Sequence, residues 1–142
     1  MQNRDRILAK VDELRGYLKE LRQIQPSSFK EYSGSIEKRR STERLLQISI
    51  ECVLDICSLI VSALRLGLPS CEEDLLERVE SAAIFQGATM QKIKAMRAFR
   101  NILVHRYGRV DDHVVFRALT EQLTDFDTFI EETLRSLTRV GR

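Results

Sequence analysis

Residues 45–68, LLQISIECVLDICSLIVSALRLGL, decide the fold. Leu45, Leu46, Ile48, Ile50, Val53, Leu54, Ile56, Leu59, Ile60, Val61 and Leu64 leave no polar side on a helix of this sequence. A helix apolar all round is packed by neighbours on several faces. Glu51, Asp55 and Arg65 interrupt the run and argue for a buried core helix, not a membrane span. Upstream, Glu37, Lys38, Arg39, Arg40, Glu43 and Arg44 give charged first turns. The helix is therefore expected over about Ile36–Leu66, stopped by Gly67 and Pro69.

Working outward, Ile7, Leu8, Val11, Leu14, Leu18 and Leu21 recur at three- and four-residue steps and predict a first helix over about Asn3–Ile24. Pro26-Ser27-Ser28 ends it, and a loop carries Phe29 and Tyr32, which are expected to pack on the core. After the central helix, Ser70-x-x-Glu73 reads as a capping box opening a third helix that ends before Gly87. A fourth runs from about Thr89 toward Tyr107, with Gly108 as its C-cap. A fifth follows Asp111-Asp112 and carries Val115, Leu119, Leu123, Phe126, Ile130, Leu134 and Leu137 on one stripe. The expected architecture is all-α: one domain over residues 1–142, an antiparallel bundle of about five helices.

Composition fits that class. With only two prolines and six glycines, the chain favours long helices over a turn-rich β fold. Three cysteines, Cys52, Cys57 and Cys71, have no zinc-like spacing and read as reduced, small apolar groups. The N-terminus has no signal-peptide apolar stretch, so a cytoplasmic protein without membrane attachment is expected. Net charge is +2, too small to imply nucleic acid by itself, so the distribution matters more. No acidic residue falls between Glu80 and Asp111, where Lys92, Lys94, Arg97, Arg100, Arg106 and Arg109 lie, and one basic surface is expected there. Lys38, Arg39 and Arg40 read as a solvated helix start, and His113 as a surface residue.

The fourth helix concentrates the chemistry. At 100° per residue, Ala95, Met96, Phe99, Ile102 and Leu103 form its core side. Lys94, Arg97, Arg100, Asn101, Val104 and His105 fall opposite, and Tyr107 lies on Arg100's stripe. Asn101 and His105, four apart, are placed for their side chains to meet. Val104 gains nothing from solvent on this polar face, and a second subunit is its simplest cover. Histidine exchanges a proton near neutral pH, and arginine binds phosphate oxygens through paired hydrogen bonds. Together they suit RNA cleavage by the ribose 2′-hydroxyl, with His105 moving the proton and Arg100 holding the scissile phosphate. Such chemistry needs neither metal nor cofactor. Glu51 and Asp55, the only acids between Glu43 and Glu72, share a helix face and are expected to pair with Arg97 or Arg100. Lys94, Arg97 and Arg106 are the candidate RNA-binding cations.

The stretch Arg100-Asn101-x3-His105-x-Tyr107 resembles the Arg-x4-His-x-Tyr signature of HEPN-domain proteins, most closely the HepT-like branch. FRNILVHRYGRVD around it and LLQISIECVLDIC upstream resemble the same branch, across nearly the whole helix order. The resemblance implies a helical bundle that pairs as a homodimer, with higher assembly open, and brings two motifs into one composite groove. It implies a metal-independent ribonuclease toxin with catalytic roles for Arg100 and His105 and a polar position at Asn101. It also implies a cognate minimal nucleotidyltransferase antitoxin that places AMP on Tyr107. The competing readings are a non-catalytic HEPN partner of a nucleotidyltransferase, and a helical interaction domain without chemistry.

Overall fold

A computed structural model describes residues 2–105 and 110–140. Seven helices and no strand occur among the described residues: α1 (Gln2–Gln23), α2 (Phe29–Ser33), α3 (Ile36–Ala63), α4 (Glu72–Ser81), α5 (Gly87–His105), α6 (Asp112–Glu121) and α7 (Leu123–Ser136). The all-helical expectation holds; the count of about five does not. One added helix is α2, a five-residue turn that sequence periodicity is too short to reveal. It is fixed by Ser28, whose side chain accepts the Glu31 N–H, and by fully buried Tyr32. The other comes from a break at Gln122 between α6 and α7, where the apolar stripe continues in phase.

α3 is the central element. By length and composition it could cross a membrane, yet Ile50, Val53, Ile56, Cys57 and Ile60 are all 0–1% exposed within the bundle. α1 packs along it through Ile7, Val11, Leu14, Leu18 and Leu21, alternating four- and three-residue steps that form a seam. Lys10 of α1 also meets Asp55 of α3 at 3.3 Å. α4, α5 and α6 also pack on α3, and α7 supports α5 and α6.

The helix ends differ in detail from expectation. α3 stops at Ala63, before Gly67, because Arg65 takes the left-handed conformation (φ 54°). The Leu66 N–H then reaches the Val61 carbonyl at 3.0 Å and the Arg65 N–H the Ser62 carbonyl at 3.2 Å, a Schellman-type closure built without glycine. The Ser70–Glu73 capping box does not form. Cys71 is the N-cap and makes no side-chain cap bond, while Asp74 accepts from the Ser70 N–H at 2.9 Å. Cys71 is therefore an exposed helix-end residue, in contrast to Cys52 and Cys57, which are buried as expected. Burial pushes the Cys52 thiol up to about 11 and the Cys57 thiol to about 12, which keeps both protonated and inert. Gly108 lies outside the described residues.

α5 carries the candidate site and is anchored at its far end. Glu132 of α7, 7% exposed, accepts from the Gln86 N–H at 2.8 Å and from Thr89 Oγ1. A buried carboxylate thus satisfies donors at the N-terminus of α5, where its charge also suits the helix dipole. Met90 and Ile93 bury the first half of α5, and Met96, Phe99 and Leu103 continue the packed side. Ala95 and Ile102 depart from the expected core side: Ala95 is exposed and Ile102 is 39% exposed. No described neighbour closes over that edge of the helix.

Candidate active site

An open groove of about 490 Å³ lies where α3, α4 and α5 meet, lined by Gln47, Glu51, Glu72, Arg97, Arg100, Asn101, Val104 and His105. Helical spacing explains the α5 members. Residues 97, 100, 101, 104 and 105 recur at three- and four-residue steps and so form one stripe beside the packed side. Of the six residues expected on that face, the structure brings Arg97, Arg100, Asn101, Val104 and His105 into this one groove and leaves out Lys94.

Arg100 is the anchored member, with only 14% of its side chain exposed. Its Nε donates to Asn101 Oδ1 at 3.0 Å and its Nη2 donates to Glu72 Oε1. Its Nη1 lies 3.9 Å from Glu51 Oε2, at the outer limit of an ion pair. Glu51 is itself steadied by Gln47 Nε2 at 3.2 Å. Asn101 therefore serves Arg100 and not His105, the partner its spacing allowed. His105 stands exposed at the end of α5.

Asp55 is a correction. One helical turn beyond Glu51, it leaves the groove and pairs with Lys10 of α1 at 3.3 Å, with 57% of its side chain exposed. It is neither buried nor a partner of Arg97 or Arg100. Lys94 likewise lies outside the groove lining and pairs with Glu80 of α4 at 2.8 Å. Arg106 and Tyr107 lie outside the described residues.

Sequence reasoning missed Glu72. Glu72 Oε1, in the first turn of α4, accepts from both Arg97 Nε, at 3.1 Å, and Arg100 Nη2. Partial burial opposes its ionisation, but the hydrogen bonds from Arg100 and Arg97 outweigh that and hold its carboxyl below the ordinary value. The available signal was the run of uncompensated cations on the fourth helix, which demands an acid from another element. Arg97 and Arg100 face Glu51 and Glu72, so the described groove is charge-balanced; Arg106 and Arg109 of the expected basic surface lie outside the described residues. In the second basic cluster Lys38 pairs with Glu31 at 3.4 Å and Arg40 with Glu43 at 3.1 Å, while the buried Arg39 Nε has no hydrogen-bond partner among the described residues. His113 is a surface residue, stacked on Phe29 at 3.8 Å between ring centroids.

The arrangement can do two things chemically. Arg100 offers a fixed, permanently charged fork for an oxyanion. His105, exposed beside it, offers an imidazole that can accept or donate a proton.

Comparison with known proteins identifies the family. Residues 14–133 match the family described as ribonuclease HepT-like. The tRNA nuclease HepT of Aphanizomenon flos-aquae is 28% identical over 116 residues, covering 82% of this chain and 79% of that protein. The mRNA nuclease HepT of Shewanella oneidensis is 26% identical over 127 residues, covering 89% and 95%. The fold is also that of the tri-AMPylated Shewanella oneidensis HEPN toxin solved in complex with MNT antitoxin, with TM-score 0.83, 22% identity and 91% and 96% of the two chains covered. With a family match spanning most of its length, this chain belongs to the HepT-like ribonucleases, a branch of the HEPN-domain proteins.

Proposed function

We propose that the groove between α3, α4 and α5 is where this HepT-like ribonuclease cleaves RNA, through attack of the ribose 2′-hydroxyl and without a metal ion. The observation that carries the reading is the placement of a braced Arg100 and an exposed His105 in one open groove. Arg100 binds the scissile phosphate and stabilises the charge that accumulates as the 2′-oxygen attacks phosphorus. His105 moves the proton that must leave the 2′-hydroxyl or reach the departing 5′-oxygen. Asn101 holds Arg100 by its Nε and keeps the fork aimed. The products are a 2′,3′-cyclic phosphate and a 5′-hydroxyl end.

The protein acts as a cytoplasmic, single-domain toxin restrained by a cognate minimal nucleotidyltransferase. The relatives' toxin–antitoxin complexes support that partner. The enzyme would place AMP on Tyr107, two residues beyond His105. Adenylate phosphate beside Arg100 would occupy the position needed by RNA with matching charge, a direct route to inhibition. The chain works as a homodimer through the outer face of α5. Supporting this, Ile102 is 39% exposed beside exposed Ala95, and both line an apolar groove of about 360 Å³ with Met96, Phe99 and Val114. A second copy on that face would cover it.

The test is cleavage of total cellular RNA by unmodified protein in EDTA. Wild type should cut and leave cyclic phosphate ends. Correctly folded wild type that leaves every RNA intact in EDTA would overturn the metal-independent reading and favour a binding module.

A further inference from the structure

We propose that Glu72 is a resident anion of the RNA site: on Arg97 and Arg100 it holds the place that a phosphodiester takes, so RNA enters by exchange and Glu72 sets its affinity. The proposal rests on the reading of Arg100 as the phosphate-binding residue.

Each of the three Arg100 guanidinium nitrogens already faces an acceptor of the chain: Asn101 at Nε, Glu72 at Nη2 and Glu51 near Nη1. A phosphate that binds Arg100 through Nη2 competes directly with Glu72 for that edge of the guanidinium. Asn101 is neutral, adjacent in sequence and braces the side chain. Glu51 sits at 3.9 Å and is tied to Gln47. Glu72 is the close anionic partner. Its single oxygen Oε1 gathers donors from two arginines, as a non-bridging phosphate oxygen would.

Glu72 is also built to leave. Its side chain is 39% exposed against 14% for Arg100, so the anion is the freer of the two. It is the first residue of α4, whose N-cap, Cys71, contributes no side-chain bond. A released carboxylate there stays beside the unpaired N–H groups of its own helix start, which stabilise negative charge. With Glu72 in place, Arg97 and Arg100 are balanced by Glu51 and Glu72; once it moves, the groove gains a net positive charge that RNA can neutralise.

The test is binding of a fluorescent, 2′-O-methylated RNA oligonucleotide, which cannot be cut, followed by anisotropy at fixed salt. Wild type is compared with Glu72→Gln, Glu73→Gln and Arg100→Ala. Glu73 is exposed in the same turn of α4, so it reports the general effect of removing one negative charge. Glu72→Gln should bind about tenfold more tightly, the equivalent of about 1.4 kcal/mol, and Glu73→Gln within about threefold of wild type. Glu72→Asp keeps the charge but is too short to span both arginines, and an intermediate gain is expected from it even should the glutamine variant misfold. Glu72→Gln binding no better than Glu73→Gln, or more weakly than wild type, would overturn the exchange and make Glu72 a positioning residue. Arg100→Ala binding like wild type would instead show that the RNA site lies elsewhere, a separate failure.

Discussion

Glu132→Ala should destabilise the fold by about 3 kcal/mol while sparing the chemistry of the groove. The side chain is 7% exposed, and its two oxygens accept from the Gln86 N–H at 2.8 Å and from Thr89 Oγ1. A hydrogen bond to a charged group contributes roughly 1.5–3 kcal/mol, and alanine removes two, with water recovering part at exposed Gln86. The dipole at the start of α5 adds a few tenths of a kcal/mol. For a chain of this size roughly 3 °C accompanies each kcal/mol, so melting should fall by about 10 °C. Glu132→Gln keeps one oxygen and the side-chain shape and should lose about half as much. The assay is urea and thermal unfolding followed by far-UV circular dichroism. Gln86 precedes Arg100 by fourteen residues, about 21 Å along a helix, so RNA cleavage well below the melting temperature should match wild type. A melting temperature within about 2 °C of wild type for Glu132→Ala would refute the idea that this carboxylate anchors α5.

Other outcomes follow from the same packing. Ile93→Ala, at a position 0% exposed under α5, should cost about 3–4 kcal/mol in denaturant unfolding. Ala83, exposed at the end of α4, has φ 55°, and Ala83→Gly should relieve that strain and gain about 1 kcal/mol in the same assay. The Glu72 carboxyl, held low by its arginines, stabilises the fold above its ordinary value of 4.5, and that contribution drains away as pH falls through its lower folded value. The stability difference between wild type and Glu72→Gln should therefore be steady at neutral pH and narrow below about pH 4.5 in urea melts run across the range. Ile102→Glu should give a folded monomer by light scattering; an undisturbed dimer would move the interface away from α5.

Much of this fold is legible in the chain because burial leaves a period. The Ile7–Leu21 seam and the all-round apolar α3 could be read directly, as could the Arg100–Asn101–His105 stripe. What escaped depends on three-dimensional neighbours. Ala95 and Ile102 have core-like chemistry and phase, yet no described element covers them. The break at Gln122 is silent because Leu119, Leu123 and Phe126 stay in register across it. Asp55 shares a helix face with Glu51, but α1 takes it with Lys10. Glu72 pairs with residues 25 and 28 positions away, and local spacing carries no trace of that meeting.

The most direct test of the central claim is single-turnover cleavage, in EDTA, of one RNA oligonucleotide that the protein cuts, by wild type, Arg100→Ala and His105→Ala. The same oligonucleotide bearing a single 2′-deoxyribose at the cut position is run beside it. The account predicts that either substitution slows cleavage by a factor of about 100 or more. It also predicts that the deoxy substrate is not cut at that position by any of the three. Cleavage of the deoxy position, or wild-type rates from His105→Ala, would contradict it.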